Sequence, residues 1–98
     1  MISVIIPTYN EQEHIAETIR WLWLHDEAGF ISEIIISDGG STDKTVAVAL
    51  SEGVRAAVSP RKGRAVQMNY GASIATQSIL YFLHADTIPP PTFTIDIK

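Results

Sequence analysis

Residues 33–41, Glu33-Ile34-Ile35-Ile36-Ser37-Asp38-Gly39-Gly40-Ser41, decide the fold. Three consecutive isoleucines are apolar on both sides of an extended chain, the pattern of a strand covered on both faces in a parallel sheet. An aspartate and two glycines follow, so the chain turns at the carboxyl end of that strand. Upstream, residues 3–6 form a second β-branched run, stopped by Pro7. Between the two runs, Asn10 with Glu13 three residues on reads as a capping box. Ile15, Ile19, Leu22 and Trp23 then recur at helical spacing, and Gly29 closes that region.

Downstream of the glycines, Ser41 or Thr42 can cap a helix reaching about Leu50, and Gly53 breaks it. Residues 54–58 read as a third short strand. Residues 63–76 read as a helix whose small and apolar side chains (Ala65, Val66, Met68, Gly71, Ala72, Ala75) predict close packing on a sheet. Residues 79–83 form a fourth strand, nearly all apolar and therefore expected near the sheet centre. The order βαβαβαβ predicts an α/β fold, a parallel sheet with helices on both faces.

The 98 residues, 46% of them hydrophobic, suffice for one domain with a real core. A net charge of −4 argues against a general nucleic-acid binder. There is no cysteine, so disulfides and thiolate metal sites are excluded and any metal must sit on oxygen or imidazole. No apolar run approaches the ~20 residues of a membrane span. These features lead us to expect a cytoplasmic protein, with the inner membrane surface as the alternative location. Pro89-Pro90-Pro91 stops regular structure, and only Ile95 and Ile97 alternate beyond it. A chain that ends just after building an apolar strand reads as a single, incomplete domain over residues 1–98. Its uncovered sheet edge leads us to expect homo-oligomerisation.

Ligands of open parallel α/β sheets bind beyond the carboxyl ends of the strands, and polar residues gather there. The first strand leads into Pro7-Thr8-Tyr9-Asn10-Glu11, the second into Ser37-Asp38-Gly39-Gly40-Ser41, the fourth into His84-Ala85-Asp86-Thr87. Asp38 can accept hydrogen bonds from a base or ribose, with the glycines permitting close approach; its plainer role is an Asx-turn or helix cap. Asp43 fits a helix start, where negative charge suits the dipole. Arg61-Lys62-Gly63-Arg64 carries three of the seven basic residues into a helix start, where cations and amides together can hold a diphosphate. The alternative is a solvated basic loop. Gln67 and Asn69 lie further along that helix, and Tyr70 fits either core or pocket. Asp86 follows an apolar strand, where a hard divalent ion with phosphate co-ligands would offset its burial. His84 points to the same face as Asp86 and reads as a hydrogen-bonded histidine or a metal ligand. His14 and His25 receive no function.

In this arrangement the chain resembles the amino-terminal part of family 2 glycosyltransferases, which share the GT-A (Rossmann-like) fold. The resemblance is carried by Val4-Ile5-Ile6-Pro7-Thr8-Tyr9-Asn10-Glu11, by Glu33 through Asp43, by Lys62-Gly63-Arg64 to Asn69-Tyr70-Gly71, and by Leu83-His84-Ala85-Asp86. The ending His84-Ala85-Asp86-Thr87 is similar to a bacterial subgroup of arsenosugar-biosynthesis-type glycosyltransferases. The resemblance implies an inverting transfer from a nucleoside diphosphate sugar, UDP- or GDP-linked, to an acceptor the sequence does not identify. It implies that Pro7, Thr8, Tyr9 and Glu11 line the nucleoside pocket and that Asp38 and Gly39 meet the base. Lys62 and Arg64 would lie near the diphosphate, and Asp86 would hold Mn²⁺ or Mg²⁺ as the last position of the family's Asp-x-Asp motif. His84 stands at that motif's first position, where an aspartate is usual. The catalytic base is implied in a carboxyl-terminal half that this chain does not contain.

Three other readings compete. A dinucleotide-dependent oxidoreductase needs G-x-G-x-x-G after the first strand, and Pro7-Thr8-Tyr9-Asn10-Glu11 stands there instead. A sugar-nucleotide nucleotidyltransferase would need a Gly-rich, Arg-containing loop at the same place. A non-catalytic nucleotide-binding or protein-interaction module, or an inactive remnant, shares the fold and differs only in ligand dependence.

Overall fold

The structure is a computed structural model that describes residues 1–26 and 29–84. Strands and helices alternate as expected: β1 (Ile2–Thr8), α1 (Ile15–Leu24), β2 (Ile31–Asp38), α2 (Thr45–Ser51), β3 (Arg55–Val58), α3 (Arg64–Ile74) and β4 (Ile79–Phe82). The strands form one parallel sheet in the order β3-β2-β1-β4. Chain order therefore runs outward from β1 through β2 to β3, then returns to place β4 on the other side of β1. Among the described strands β4 is an edge, which corrects the central placement read from its sequence. Ile79 and Phe82 remain 48% and 43% exposed. Apolar side chains show that a strand can be covered, not which neighbour covers it. No helix of the described residues is long and apolar enough to cross a membrane.

Strand alternation distributes the core to two faces. Val4, Ile6, Ile34 and Ile36 join Ile15, Ile19 and Leu22 of α1 and Ala49 of α2 in one buried cluster. Ile5 and Ser37 point the other way, onto α3. There Gly71 brings the helix against the sheet, since a Cβ at this position would collide with Ile5 Cγ2. Close packing of α3 by small residues is thus borne out, with Gly71 at the tightest point. Each buried isoleucine contributes about 1.5–3 kcal/mol, so β1 and β2, the most deeply covered strands, anchor the domain.

Pro7 does not stop β1, which runs on through the pair Pro7↔Ser37 to Thr8↔Asp38. The N–H and C=O of one residue in a parallel strand face the same neighbour, and alternate residues face alternate neighbours. Gly39 N–H donates to Thr8 O (2.9 Å), toward β2, and Leu83 N–H to Ile5 O (3.0 Å), toward β4. Pro7 therefore faces the β4 side beyond the last pair, Ile5↔Phe82, where its missing N–H breaks no ladder bond.

Asn10 does not cap α1. It adopts φ 53°, and its Oδ1 instead accepts the Thr42 N–H (2.9 Å). The α1 N-cap position is His14, without a side-chain cap bond. Nor do Ser41 and Thr42 cap α2, which begins at Thr45 with Lys44 at its N-cap. Asp43 serves that end: its carboxylate accepts the Thr45 N–H (2.9 Å) and the Thr45 hydroxyl. Desolvation pushes the Asp43 carboxyl up, but those bonds outweigh it and hold the group below its ordinary value. An aspartate just before the helix thus fills the role that the two hydroxyl residues were expected to play.

At the amino-terminal end of the sheet, Glu33 ties four segments together. Its carboxylate accepts from Ser3 Oγ (2.7 Å), Thr76 N–H (2.6 Å), Thr76 Oγ1 (2.7 Å) and Arg55 Nη1 (2.9 Å). Burial raises its pKa, and these donors more than reverse that, bringing it from 4.5 to about 2. A carboxyl depressed in the folded state stabilises fully above its unfolded pKa, and this contribution is lost as pH falls through the folded value. The Glu33→Gln variant should be less stable by about 1–3 kcal/mol at neutral pH. The difference from wild type should shrink between pH 4.5 and about 2, as urea titrations across that range would show. A difference independent of pH would refute the assignment.

Candidate functional site

The carboxyl ends of β1 and β2 are locked by one buried carboxylate. Asp38 has no exposed surface. Its Oδ1 accepts the Thr8 (2.7 Å) and Ser41 (2.6 Å) hydroxyls, and its Oδ2 accepts the Gly40 (3.0 Å) and Ser41 (2.6 Å) N–H groups. This is the Asx-turn role, one of the two open in the sequence, with the turn completed by Gly40 at φ 91°. A base contact by Asp38 would require one of these donors to give way.

The loops after β1 and β2 interlock above this turn. Asn10 N–H donates to Ser41 Oγ (2.8 Å), Glu11 N–H to Thr45 Oγ1 (2.8 Å) and Lys44 N–H to Gln12 Oε1 (2.9 Å). Glu11 is thereby held in the turn before α1, where its backbone carbonyl accepts the N–H groups of His14 and Ile15.

Beside this junction an open cleft of about 150 Å³ is lined by Pro7, Thr8, Tyr9, Arg64, Gln67 and His84. It lies between β1 and β4, where chain order reverses, the place at which open α/β sheets bind ligands. Arg64 opens α3, whose first turn carries no side-chain cap. Backbone amides at such a helix start favour anions. Gly63 precedes it at φ 150°, a conformation that side chains other than hydrogen rarely allow. Lys62 Nζ lies 3.6 Å from the centroid of the Tyr9 ring, a cation–π contact at the cleft mouth. Arg61, Lys62 and Arg64 form no ion pair with a described residue.

The structure therefore gathers Pro7, Thr8, Tyr9, Arg64 and His84 around one cleft. Lys62 joins through Tyr9, Asp38 lies beneath Thr8, and Gly39 packs on Gln67. Glu11 is not among the cleft-lining residues. Asp86 lies outside the described residues. Among the described residues no group of three histidines, aspartates or glutamates converges as a metal site.

Gln67 is the cleft residue to which sequence reasoning gave no role. Its side-chain amide donates to Thr8 O (2.8 Å) and Ser37 O (2.9 Å) and accepts from Gly63 N–H (3.0 Å). The available signal was its position four residues before Gly71, on the helix face that the glycine marks as packed.

A family model described as Glycosyl transferase family 2 matches residues 3–95. The chain belongs to that family. Glucosyl-3-phosphoglycerate synthase of Mycolicibacterium smegmatis is 30% identical to this family 2 chain over 100 residues, covering 91% of it and 32% of the synthase. The Mycobacterium tuberculosis synthase is 33% identical over 100 residues, covering 91% of this chain and 30% of its own length. A crystal structure of the M. tuberculosis synthase with Mn²⁺, UDP and phosphoglyceric acid matches with TM-score 0.83 at 28% identity, covering 97% of this chain and 36% of that one. The GT-A, Rossmann-like architecture is thus that of known glycosyltransferases. The family 2 chain spans about a third of the length of these relatives.

Proposed function

We propose that this chain forms the donor side of an inverting glycosyltransferase that takes a sugar from a nucleoside diphosphate sugar, with UDP the first candidate. The observation that carries this reading is the cleft itself. The end of β1, the cationic start of α3 and His84, two residues past β4, meet there, at the reversal of strand order. The similar mycobacterial synthase, crystallised with UDP and Mn²⁺, supports the choice of nucleotide.

In this reading Pro7, Thr8 and Tyr9 form the wall for the nucleoside, and Glu11 stands behind it in the turn before α1. The Asp38 turn fixes the floor, and Gly39 lets Gln67 close against it. Arg64 and the first amides of α3 receive the diphosphate, and Lys62, held over Tyr9, adds a second cation at the mouth. These groups oppose the charge that grows on the diphosphate as the glycosidic bond breaks. The donor set at the cleft, one imidazole plus ligand oxygens, suits a hard divalent ion only when phosphate oxygens complete the shell. Asp86 would hold Mn²⁺ or Mg²⁺, with His84 contacting the nucleotide sugar beside it, and the ion would supply charge neutralisation to the leaving diphosphate. The site for the acceptor and the base that deprotonates its hydroxyl belong, in this reading, to the length that the relatives have beyond this chain.

Calorimetric titration with UDP, GDP and dTDP, each with and without Mn²⁺, tests the proposal. One nucleotide should bind, and removing the metal should weaken it by at least ~10-fold. A folded protein with no affinity for any of the three would refute the reading.

A further inference from the structure

We propose that Gln67 is a positioning residue of the donor site, fixing the start of α3 against the ends of β1 and β2, and that Gly39 is its matched seat. The proposal rests on the cleft being the donor site. Gln67 is only 4% exposed, and every polar group it carries is used. Both amide hydrogens are donated, to Thr8 O and Ser37 O, while Oε1 accepts from Gly63 N–H. Its backbone N–H donates to Gly63 O (2.8 Å), and its backbone carbonyl accepts the Ser37 hydroxyl (2.6 Å). Gly63 is thus gripped at both its N–H and its C=O by one residue.

The orientation of the amide follows from its neighbours. Turned by half a rotation, Oε1 would face two carbonyl oxygens and the NH₂ would face an N–H, so only one placement satisfies the network. Loss of this amide would leave the Gly63 N–H without its described partner and free the residue immediately before Arg64. The first amides of α3 and the Arg64 side chain would lose their fixed distance from Thr8. The effect should therefore fall on the phosphate end of a ligand and spare its base.

Gly39 completes the device. A Cβ built there would lie 2.7 Å from Gln67 Oε1 and 3.0 Å from Cδ, so any side chain at position 39 must displace the amide. The absence of a side chain at Gly39 is explained here by close approach, since its φ is not among the positive values.

The test compares UDP, inorganic pyrophosphate and uridine, each with Mg²⁺, by calorimetry and amide chemical shifts. Gln67→Ala and the volume-conserving Gln67→Met should each weaken UDP and pyrophosphate by about tenfold or more, with uridine affinity unchanged. Gly39→Ala should reproduce that loss alone, and add little to it in the Gln67→Ala background. Equal weakening of uridine and UDP would overturn the proposal, marking Gln67 as a general scaffold residue. So would unchanged pyrophosphate affinity in a folded Gln67→Met protein. Wild-type protein that binds none of the three probes would instead remove the donor-site reading, a result distinct from loss in the variants alone.

Discussion

Asp38→Ala should lower the unfolding free energy by about 3–5 kcal/mol, among the largest effects of any polar substitution in this chain. The carboxylate, at the end of β2, has no solvent contact and satisfies four donors, one from β1 and three from the turn that follows. Alanine would strand the Thr8 hydroxyl, itself only 2% exposed, and two backbone N–H groups of the turn. Asp38→Asn provides the internal comparison. Its amide NH₂ can face the Thr8 and Ser41 hydroxyls, which can rotate to accept, while its oxygen keeps the Gly40 and Ser41 N–H groups. The asparagine variant should therefore cost only about 1–2 kcal/mol. Urea unfolding with unchanged slope would measure both. Equal losses, or an alanine variant within about 0.5 kcal/mol of wild type, would show that the turn does not depend on this carboxylate.

Gly71→Ala should be destabilising by about 2–4 kcal/mol, and here the sign alone is informative. In an exposed helix interior, glycine to alanine stabilises by about 1 kcal/mol because alanine restricts the unfolded chain and favours the helix. At position 71 the added methyl would meet Ile5 Cγ2 and lie 3.5 Å from Ser37 Cβ. Ile5 is fully buried in β1 and has no room to move away. The helix must lift, taking Gln67 and Arg64 with it, so nucleotide affinity should fall together with thermal stability. A stabilised Gly71→Ala protein would contradict the packing of α3 described above.

Much of this was legible in the sequence because β-branched runs and turn residues constrain the chain locally. Ile34-Ile35-Ile36 followed by Asp38-Gly39-Gly40 identified β2 and its turn, and the four-strand, three-helix alternation followed from patterns of the same kind. What escaped was decided across the chain. Asn10 looked like a cap for the next helix, yet its side-chain oxygen accepts the N–H of Thr42, 32 residues away. Pro7 looked like a strand end, but which neighbour each residue faces depends on register, which local pattern does not contain. The edge position of β4 among the described strands likewise depends on strand order.

The site shows the same division. Pro7, Thr8, Tyr9, Arg64 and His84 could be assigned to one end of the sheet by topology, and the cleft collects them. Gln67 could not, because its importance lies in bonds to Thr8, Ser37 and Gly63, three segments brought together only by folding.

If the cleft between β1, β4 and the start of α3 receives the donor nucleotide, a UDP titration followed through backbone amide shifts should map to it. A diamagnetic Mg²⁺ complex avoids the broadening that Mn²⁺ would cause. The shifts should concentrate at Thr8, Tyr9, Gly63, Arg64 and His84 and leave the Glu33 cluster at the opposite end of the sheet unmoved. Shifts centred on Glu33, Arg55 and Thr76, or no shifts from a folded protein at saturating nucleotide, would contradict that placement of the nucleotide.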